Sequence, residues 1–325
     1  LWTPYSDTER TKQNREKGII FMPYGLQTYQ DSSRREDLLD IISDVSPDEN
    51  PLSTMFKTTT ASQTLHEWVE DYLSRPTSVS AAIEGAAASY SDLTQPARRN
   101  NVTQVISTTF RVSGTMRAVD VAGMSDPLDY QSAKALRDWK NKLEYSLLNG
   151  ARASGDSGVA RQMSGIQNIV TSHYTNLNSG TSLSETHLNS MVLSVAADVG
   201  TSDVFDMVLT TLQLRQKIST FTAGNTKYVD ASDKKLVRPV MVYESDFGVH
   251  RIFGHKDVTS AVATPGPYVL GLKEDKWRVA YLRKPVREIL AKDGDRDNGQ
   301  IVGEATLEFL AERANAKSTG FNQAG

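Results

Sequence analysis

The sequence predicts an α+β protein carrying an extended β-hairpin that its own domain cannot bury. Three observations carry this. A stretch rich in Ala, Ser and Thr, residues 74–101, separates two strand-like segments at 64–73 and 102–118. One capped helix follows, of about 25 residues and roughly 37 Å at 1.5 Å rise. After a Gly/Ser stretch, short helix and strand patterns alternate and end in a β pair.

The composition suits a subunit whose contacts are completed by neighbours. Hydrophobic residues make up 38 % of 325, below the roughly 45–50 % of globular chains. The net charge of −3 announces no nucleic-acid binding. There is no cysteine, which excludes disulfides and thiolate metal sites, and five histidines leave little for other metals. No apolar run approaches the roughly twenty residues of a membrane span, and no secretory signal pattern is present. The chain opens on Leu1, not Met, which reads as a processed form, a truncated form, or one missing a disordered start.

Taken in order, residues 1–50 mix charge with turn formers and read as an N-terminal arm, with room for two short helices, the second at 37–43. Asn50-Pro51 reads as a turn and Met55-Phe56 as an apolar anchor. If residues 74–101 are extended, each arm of the hairpin holds about fourteen residues, and its tip lies roughly 45 Å from the root. A two-stranded ribbon alone in water is marginal. The tip therefore needs another subunit or remains disordered.

Val102, Ile106, Phe110, Val112 and Met116 share one face of the next strand; Thr103, Thr109, Arg111 and Ser113 share the other. Ser125-Asp126-Pro127 supplies a cap and a first-turn proline for the long helix. Leu136, Trp139, Leu143 and Leu147 give it an apolar stripe, the mark of a spine.

Residues 154–164 read as a flexible linker. Ser184 then caps a helix, with Leu183 and Leu188 as its staple and Leu188, Met191, Val192, Val195 and Val199 as its apolar face. A strand at 205–209, a helix at 211–220, a hairpin at 235–243 and 247–253, and a strand at 267–272 follow. Segments 280–290 and 301–311 close the chain, with Glu304, Thr306 and Glu308 alternating against Ala305, Leu307 and Phe309. No internal repeat is visible.

Several motifs imitate chemistry. Gly155, Asp156, Ser157 and Gly158 copy a serine-protease tetrapeptide, but that chemistry needs a His base and an orienting Asp on a β scaffold. Asp246-Phe-Gly248 copies a kinase triplet without the other kinase elements. Asp293, Asp295, Asp297 and Glu304 have calcium-loop spacing, but Asn298 stands where the sharp-turn glycine belongs. A solvated turn explains them better, with Glu304 at a solvent-facing strand position. His250 and His255, near Asp246 and Asp257, read as a surface hairpin rather than metal ligands. Trp68, Trp139 and Trp277 read as buried anchors.

The order of elements, with Thr64-Leu-His-Glu-Trp68, Ala81-Ala-Ile-Glu-Gly85, Val112-Ser-Gly-Thr115, Val229-Asp-Ala-Ser-Asp233, Tyr243-Glu-Ser-Asp-Phe-Gly248 and Tyr281-Leu-Arg-Lys-Pro285, resembles the major head proteins of tailed phages with the Hong Kong 97-type fold. Within these it is similar to the podovirus branch typified by phage SU-ten, over roughly residues 50–315. The resemblance implies an arm (1–50), an extended loop with the start of a peripheral sheet (51–118), a spine-helix region (119–160), an axial domain (161–267) and return strands with a C-terminal tail (268–325). It implies a non-enzymatic shell protein without cofactor or metal. Such a protein assembles with itself into hexamers and pentamers of an icosahedral virion. Its further partners are a portal, decoration proteins and non-specifically packed double-stranded DNA, with assembly in the host bacterial cytoplasm and no membrane. Arg75, Glu84, Arg98 and Arg99 become inter-subunit contact candidates. An encapsulin-like nanocompartment shell and a soluble hydrolase using Gly155 to Gly158 are the alternatives.

Overall fold

The structure is a computed structural model and describes residues 50–72, 78–79, 81–88, 95–119, 126–221, 241–258 and 267–322. The arm at 1–49, with its two expected short helices, the second at 37–43, lies outside them, as do residues 235–240 of the expected hairpin. All described residues fall in one folded unit, 45–120 with 126–325.

In chain order the first half contains α1 (Pro51–Met55), β1 (Lys57–Thr60), β2 (Leu65–Glu70), β3 (Ala97–Val102), β4 (Gln104–Ser113), α2 (Gly114–Ala118), α3 (Pro127–Asn149), α4 (Ile166–Ile169) and β5 (Tyr174–Thr181). The second half contains α5 (Glu185–Val199), β6 (Met207–Thr210), α6 (Leu212–Phe221), β7 (Met241–Ser245), β8 (Gly248–Gly254), β9 (Tyr268–Leu272), β10 (Trp277–Leu290), β11 (Arg296–Phe309) and β12 (Ala316–Phe321).

Three sheets form: β1-β10-β11-β4, β5-β12-β9-β6-β8-β7, and the isolated ribbon β2-β3. The expected turn at Asn50-Pro51 is the start of α1, with Pro51 at a first-turn position. Its end is closed by Phe56, which is buried.

The long helix is α3, as its cap demands. The Asp126 carboxylate accepts from Leu128 N at 2.8 Å, and Pro127 follows. Trp139, Leu143 and Leu147 face the core, and Trp139 Nε1 donates to Ile106 O at 2.8 Å. Leu136 does not join the stripe; it is 38 % exposed, and Ala135 takes the buried position. The contact face runs through 132, 135, 139, 143 and 147, and Leu136 lies about 100° around the helix from Ala135.

β4 buries Ile106, Phe110 and Val112 as expected. Met116 leaves that face, because the strand ends at Ser113, whose hydroxyl caps α2 by accepting from Met116 N at 3.2 Å. Thr103, expected on the open face, is fully buried. The chain changes partner there: β3 pairs with β2, whereas β4 pairs with β11.

The expected linker is instead a tight hairpin, bridged at Ala153–Gln162 and Asp156–Val159. Ser184 caps α5 through a capping box with His187, and Leu183 and Leu188 are buried beside it. The central strands β6 and β9 of the six-stranded sheet are buried on both faces. Met207, Leu209, Tyr268, Leu270 and Leu272 join the core of α3 and the four-stranded sheet. Val208 and Val269 join a second core with α5 and α6. Two-sided burial explains the unbroken apolar runs of β6 and β9. β9 and β12, expected as part of the return at 268–325, pair within this six-stranded sheet. β5 and β12 were not foreseen. The closing pair is β10 with β11, and Glu304, Thr306 and Glu308 are all buried rather than solvent-facing.

Candidate functional site

The ribbon β2–β3 pairs with no strand of the two larger sheets. Its register runs from Leu65 opposite Val102 to Glu70 opposite Ala97. Alternation turns His66, Trp68 and Glu70 inward and leaves Leu65, Glu67 and Val69 exposed.

Polar groups hold its root. Trp68 meets Phe309 edge-on with centroids 5.0 Å apart. His66 Nε2 lies 3.2 Å from the Glu308 carboxylate, which Arg278 approaches at 3.7 Å from the other side. Glu70 takes Arg99 Nε at 2.7 Å and the backbone N–H of Glu312 at 3.1 Å. The Glu312 carboxylate in turn accepts from Thr171 N and Ser172 N at 2.5 and 2.7 Å.

Asn101 uses both ends of its amide. It donates to Leu307 O and Ser164 O at 2.8 and 3.1 Å and accepts from Ser164 N at 2.9 Å. Glu304 accepts from Thr103 Oγ1 and Arg161 Nη2, both at 2.7 Å, and from Arg283 Nε at 3.2 Å. These buried carboxylates are thus satisfied by donors from distant parts of the chain, as burial requires.

Past the root, residues 81–88 are all exposed. Ala86 N donates to Ile83 O at 3.1 Å, closing a tight turn with Gly85 at φ 78°. That positive φ at the third turn position is what a type II turn asks of glycine. Val79 and Ile83 are 96 % and 83 % exposed.

Of the contact candidates, Glu84 occupies this turn. Arg98 lies 3.5 Å from Glu67 and Arg99 pairs with Glu70, so both first meet the opposite strand of their own ribbon. Arg75 lies outside the described residues. A 320 Å³ pocket lined by Arg98, Arg99, Arg152, Asn168, Ile169 and Phe309, among others, opens beside the root.

A second tie fastens α1 to the spine. Glu144 is fully buried and accepts from Leu52 N at 2.7 Å, from Ser53 N at 2.9 Å and from His255 Nε2 at 3.2 Å. Because His255 Nδ1 accepts from Asp257 N, its Nε2 carries the proton that Glu144 receives.

The imitating motifs resolve into structure. Ser157 sits exposed at the tip of the 153–162 hairpin, its backbone N–H on Asp156. Asp246-Phe-Gly248 turns β7 into β8. Asp293 pairs with Arg296, while hydrogen bonds from Lys292 and Arg117 hold the Asp297 carboxyl below its usual range. Glu304 faces Arg161 and Arg283 instead of that loop. Among the described residues no three His, Asp or Glu groups gather as metal ligands, and no helix is long and apolar enough to cross a membrane.

His250 and His255 are buried, not on a surface hairpin. His250 Nδ1 donates to Phe205 O and Nε2 meets Ser245 Oγ at 2.8 Å, a pairing the sequence reading missed. With a backbone carbonyl in place of an orienting carboxylate, this pair closes the β7–β8 turn. Trp139 and Trp277 are buried anchors, and Trp68 is half-buried.

A family model described as SU10 major capsid protein matches residues 17–322. The major capsid protein of Escherichia phage Phieco32 is 28 % identical over 123 residues, 38 % of this chain and 35 % of that one. The match thus spans about a third of that relative's length. The solved capsid asymmetric unit of cyanophage A-1(L) superposes with a TM-score of 0.60 at 13 % identity, covering 91 % of this chain and 99 % of that one. The encapsulin of Synechococcus elongatus superposes with a TM-score of 0.56 at 9 % identity, covering 99 % and 98 %. At such identities these two share the fold.

Proposed function

The chain belongs to the SU10 major capsid protein family, and we propose that its copies polymerise through hexamers and pentamers into the icosahedral head of a tailed double-stranded DNA phage. The observation that carries this is the ribbon: a root fixed by satisfied buried charges, and an ordered turn beyond it that exposes Ile83 and Val79. A rigid root with an apolar tip in water is the shape of a part that finishes folding on another copy. Large obligate interfaces bury about 2,000–5,000 Å², and the ribbon supplies such area without a large core of its own.

In this reading α3 is the spine, and the region around the six-stranded sheet meets its copies near the symmetry axes. Arg75, Arg98, Arg99 and Glu84 contact neighbours, each exposed ion pair contributing about 0–1 kcal/mol. Repetition over hundreds of interfaces makes such small terms count. The chain does no bond chemistry. Portal and decoration proteins are its other partners, packed DNA is met without sequence contacts, and assembly takes place in the bacterial cytoplasm. The fold is common to an encapsulin, and the family match is what favours a virion over a nanocompartment.

Negative-stain microscopy with sedimentation of the purified protein tests this. Uniform closed shells are expected, and Ser157→Ala should still form them. Small soluble oligomers under every salt condition overturn the reading.

A further inference from the structure

The exposed turn of the ribbon and the pocket at its root are complementary in charge and in polarity. The turn presents one apolar side chain, Ile83, and one carboxylate, Glu84, which meets no cation among the described residues. The pocket is lined by buried Phe309 and half-buried Ile169 and by the exposed residues Arg98, Arg99 and Arg152. Two of these are partly spent within the chain: Arg99 Nε is 2.7 Å from Glu70, and Arg98 is 3.5 Å from Glu67. Arg152 is exposed and has no ion-pair partner among the described residues. With Arg98 and Arg99 each paired to a carboxylate of the ribbon, Arg152 leaves the pocket one positive charge in excess, and the turn carries one negative charge.

We propose that the Ile83, Glu84 and Gly85 turn of one copy docks in the arginine pocket of the next, with Glu84 on Arg152 and Ile83 against Phe309 and Ile169. The inference rests on the shell reading and assigns the tip its receptor. Key and lock lie on different segments of the same chain, so the contact is heterologous. Each copy gives its turn to one neighbour and receives a turn from another, the arrangement that closes into rings when the rotation closes. A type II turn suits this role, because Gly85 holds Ile83 and Glu84 in a fixed relation before contact and less freedom is lost on docking.

Charge exchange tests the pairing. Glu84→Arg and Arg152→Glu each set like charges against each other, which costs several kcal/mol at an interface. Each variant should lower shell yield by at least about tenfold, and the double variant should recover most of it. Wild-type yield from either single variant, or a double variant no better than the singles, overturns the docking.

Because the chain has no native cysteine, Glu84→Cys with Arg152→Cys also permits a direct test. A short bismaleimide added to assembled shells should give a ladder above the monomer on denaturing gels, and a lone monomer band overturns the proposal. Shells of Arg152→Glu that assemble normally but fail to retain DNA would assign the pocket to phosphate and overturn it equally. Failure of the unmodified protein to form shells would instead remove the shell reading.

Discussion

Glu144→Ala should be among the most damaging single changes in this chain. The carboxylate is fully buried and receives three donors: Leu52 N, Ser53 N and His255 Nε2. Removing it orphans two donors on fully buried groups, Leu52 N–H and the His255 ring N–H, at about 1–3 kcal/mol each. Ser53 is partly exposed, so water repays most of its loss. The sum, about 3–5 kcal/mol, matches what breaking one side of a buried charged contact usually costs. Glu144→Gln keeps the volume and one acceptor oxygen but turns an amide N–H₂ toward a donor, for about 1–2 kcal/mol.

The assay is urea unfolding of unassembled subunits, read by tryptophan emission. The reporters are well placed: Trp139 lies on the same helix, and Trp277 stacks on Phe56, just after α1, with centroids 6.1 Å apart. Release of α1 should also speed tryptic cleavage at Lys57. An alanine variant within about 0.5 kcal/mol of the parent, the range of ordinary surface substitutions, with unchanged cleavage, would refute the reasoning.

Three further outcomes are expected. Gly303→Ala should destabilise by about 1–3 kcal/mol, since its Cβ would lie 2.6 Å from Trp139 Cζ2 and 3.1 Å from Pro285 Cα; chemical denaturation measures it. Burial lowers the His250 pKa, against a smaller raising effect from its bond to Phe205 O. The folded state therefore binds this proton less readily than the unfolded one, and the contribution is complete above about pH 6.5, the unfolded value, and lost as pH falls from there through the folded value. His250→Gln should flatten that part of the stability–pH curve. Finally, residues 74–101 contain no lysine, so mature particles boiled in detergent should run as monomer, without isopeptide-linked bands from this loop.

The parts of the fold legible in the sequence were those whose signals are local. Asp126 and Pro127 announce the start of α3 whatever it packs on, and Ser184 with Leu183 and Leu188 announces α5. Leu136 was misplaced because apolarity names a face only approximately, and the sheet beneath α3 accepts Ala135 instead. Thr103 and Glu304 were misread for one shared reason. Period-two alternation says that two faces differ, not that the polar face is wet. On β11 that face is covered by the ribbon root and by Arg161 from the 153–162 hairpin, more than a hundred residues away in sequence. Arg161 and Asn101 carry no local mark of such a role.

The placement of these charges bears on how the subunit does its work. Glu70, Glu304, Glu308 and Glu312 are buried around the root of the two-stranded ribbon, while apolar side chains make up the core of the larger sheets. An apolar root would hold the ribbon by area alone and tolerate tilting or sliding, because hydrophobic contact has little direction. Charge-assisted hydrogen bonds do have direction. Glu70 reads Arg99 and the Glu312 backbone together, and Asn101 reads both polar groups of Ser164, so a shift of one residue in register would strand several buried donors at once. Small angular errors at the root grow with distance along the ribbon, and in the proposed docking the tip must reach a fixed point on a neighbour. Substituting the polar groups of the root should therefore impair assembly beyond their cost in stability: Asn101→Leu, which fills similar space without the four side-chain hydrogen bonds, should yield folded subunits that close shells poorly. Normal shells from that variant would show that packing alone aims the ribbon.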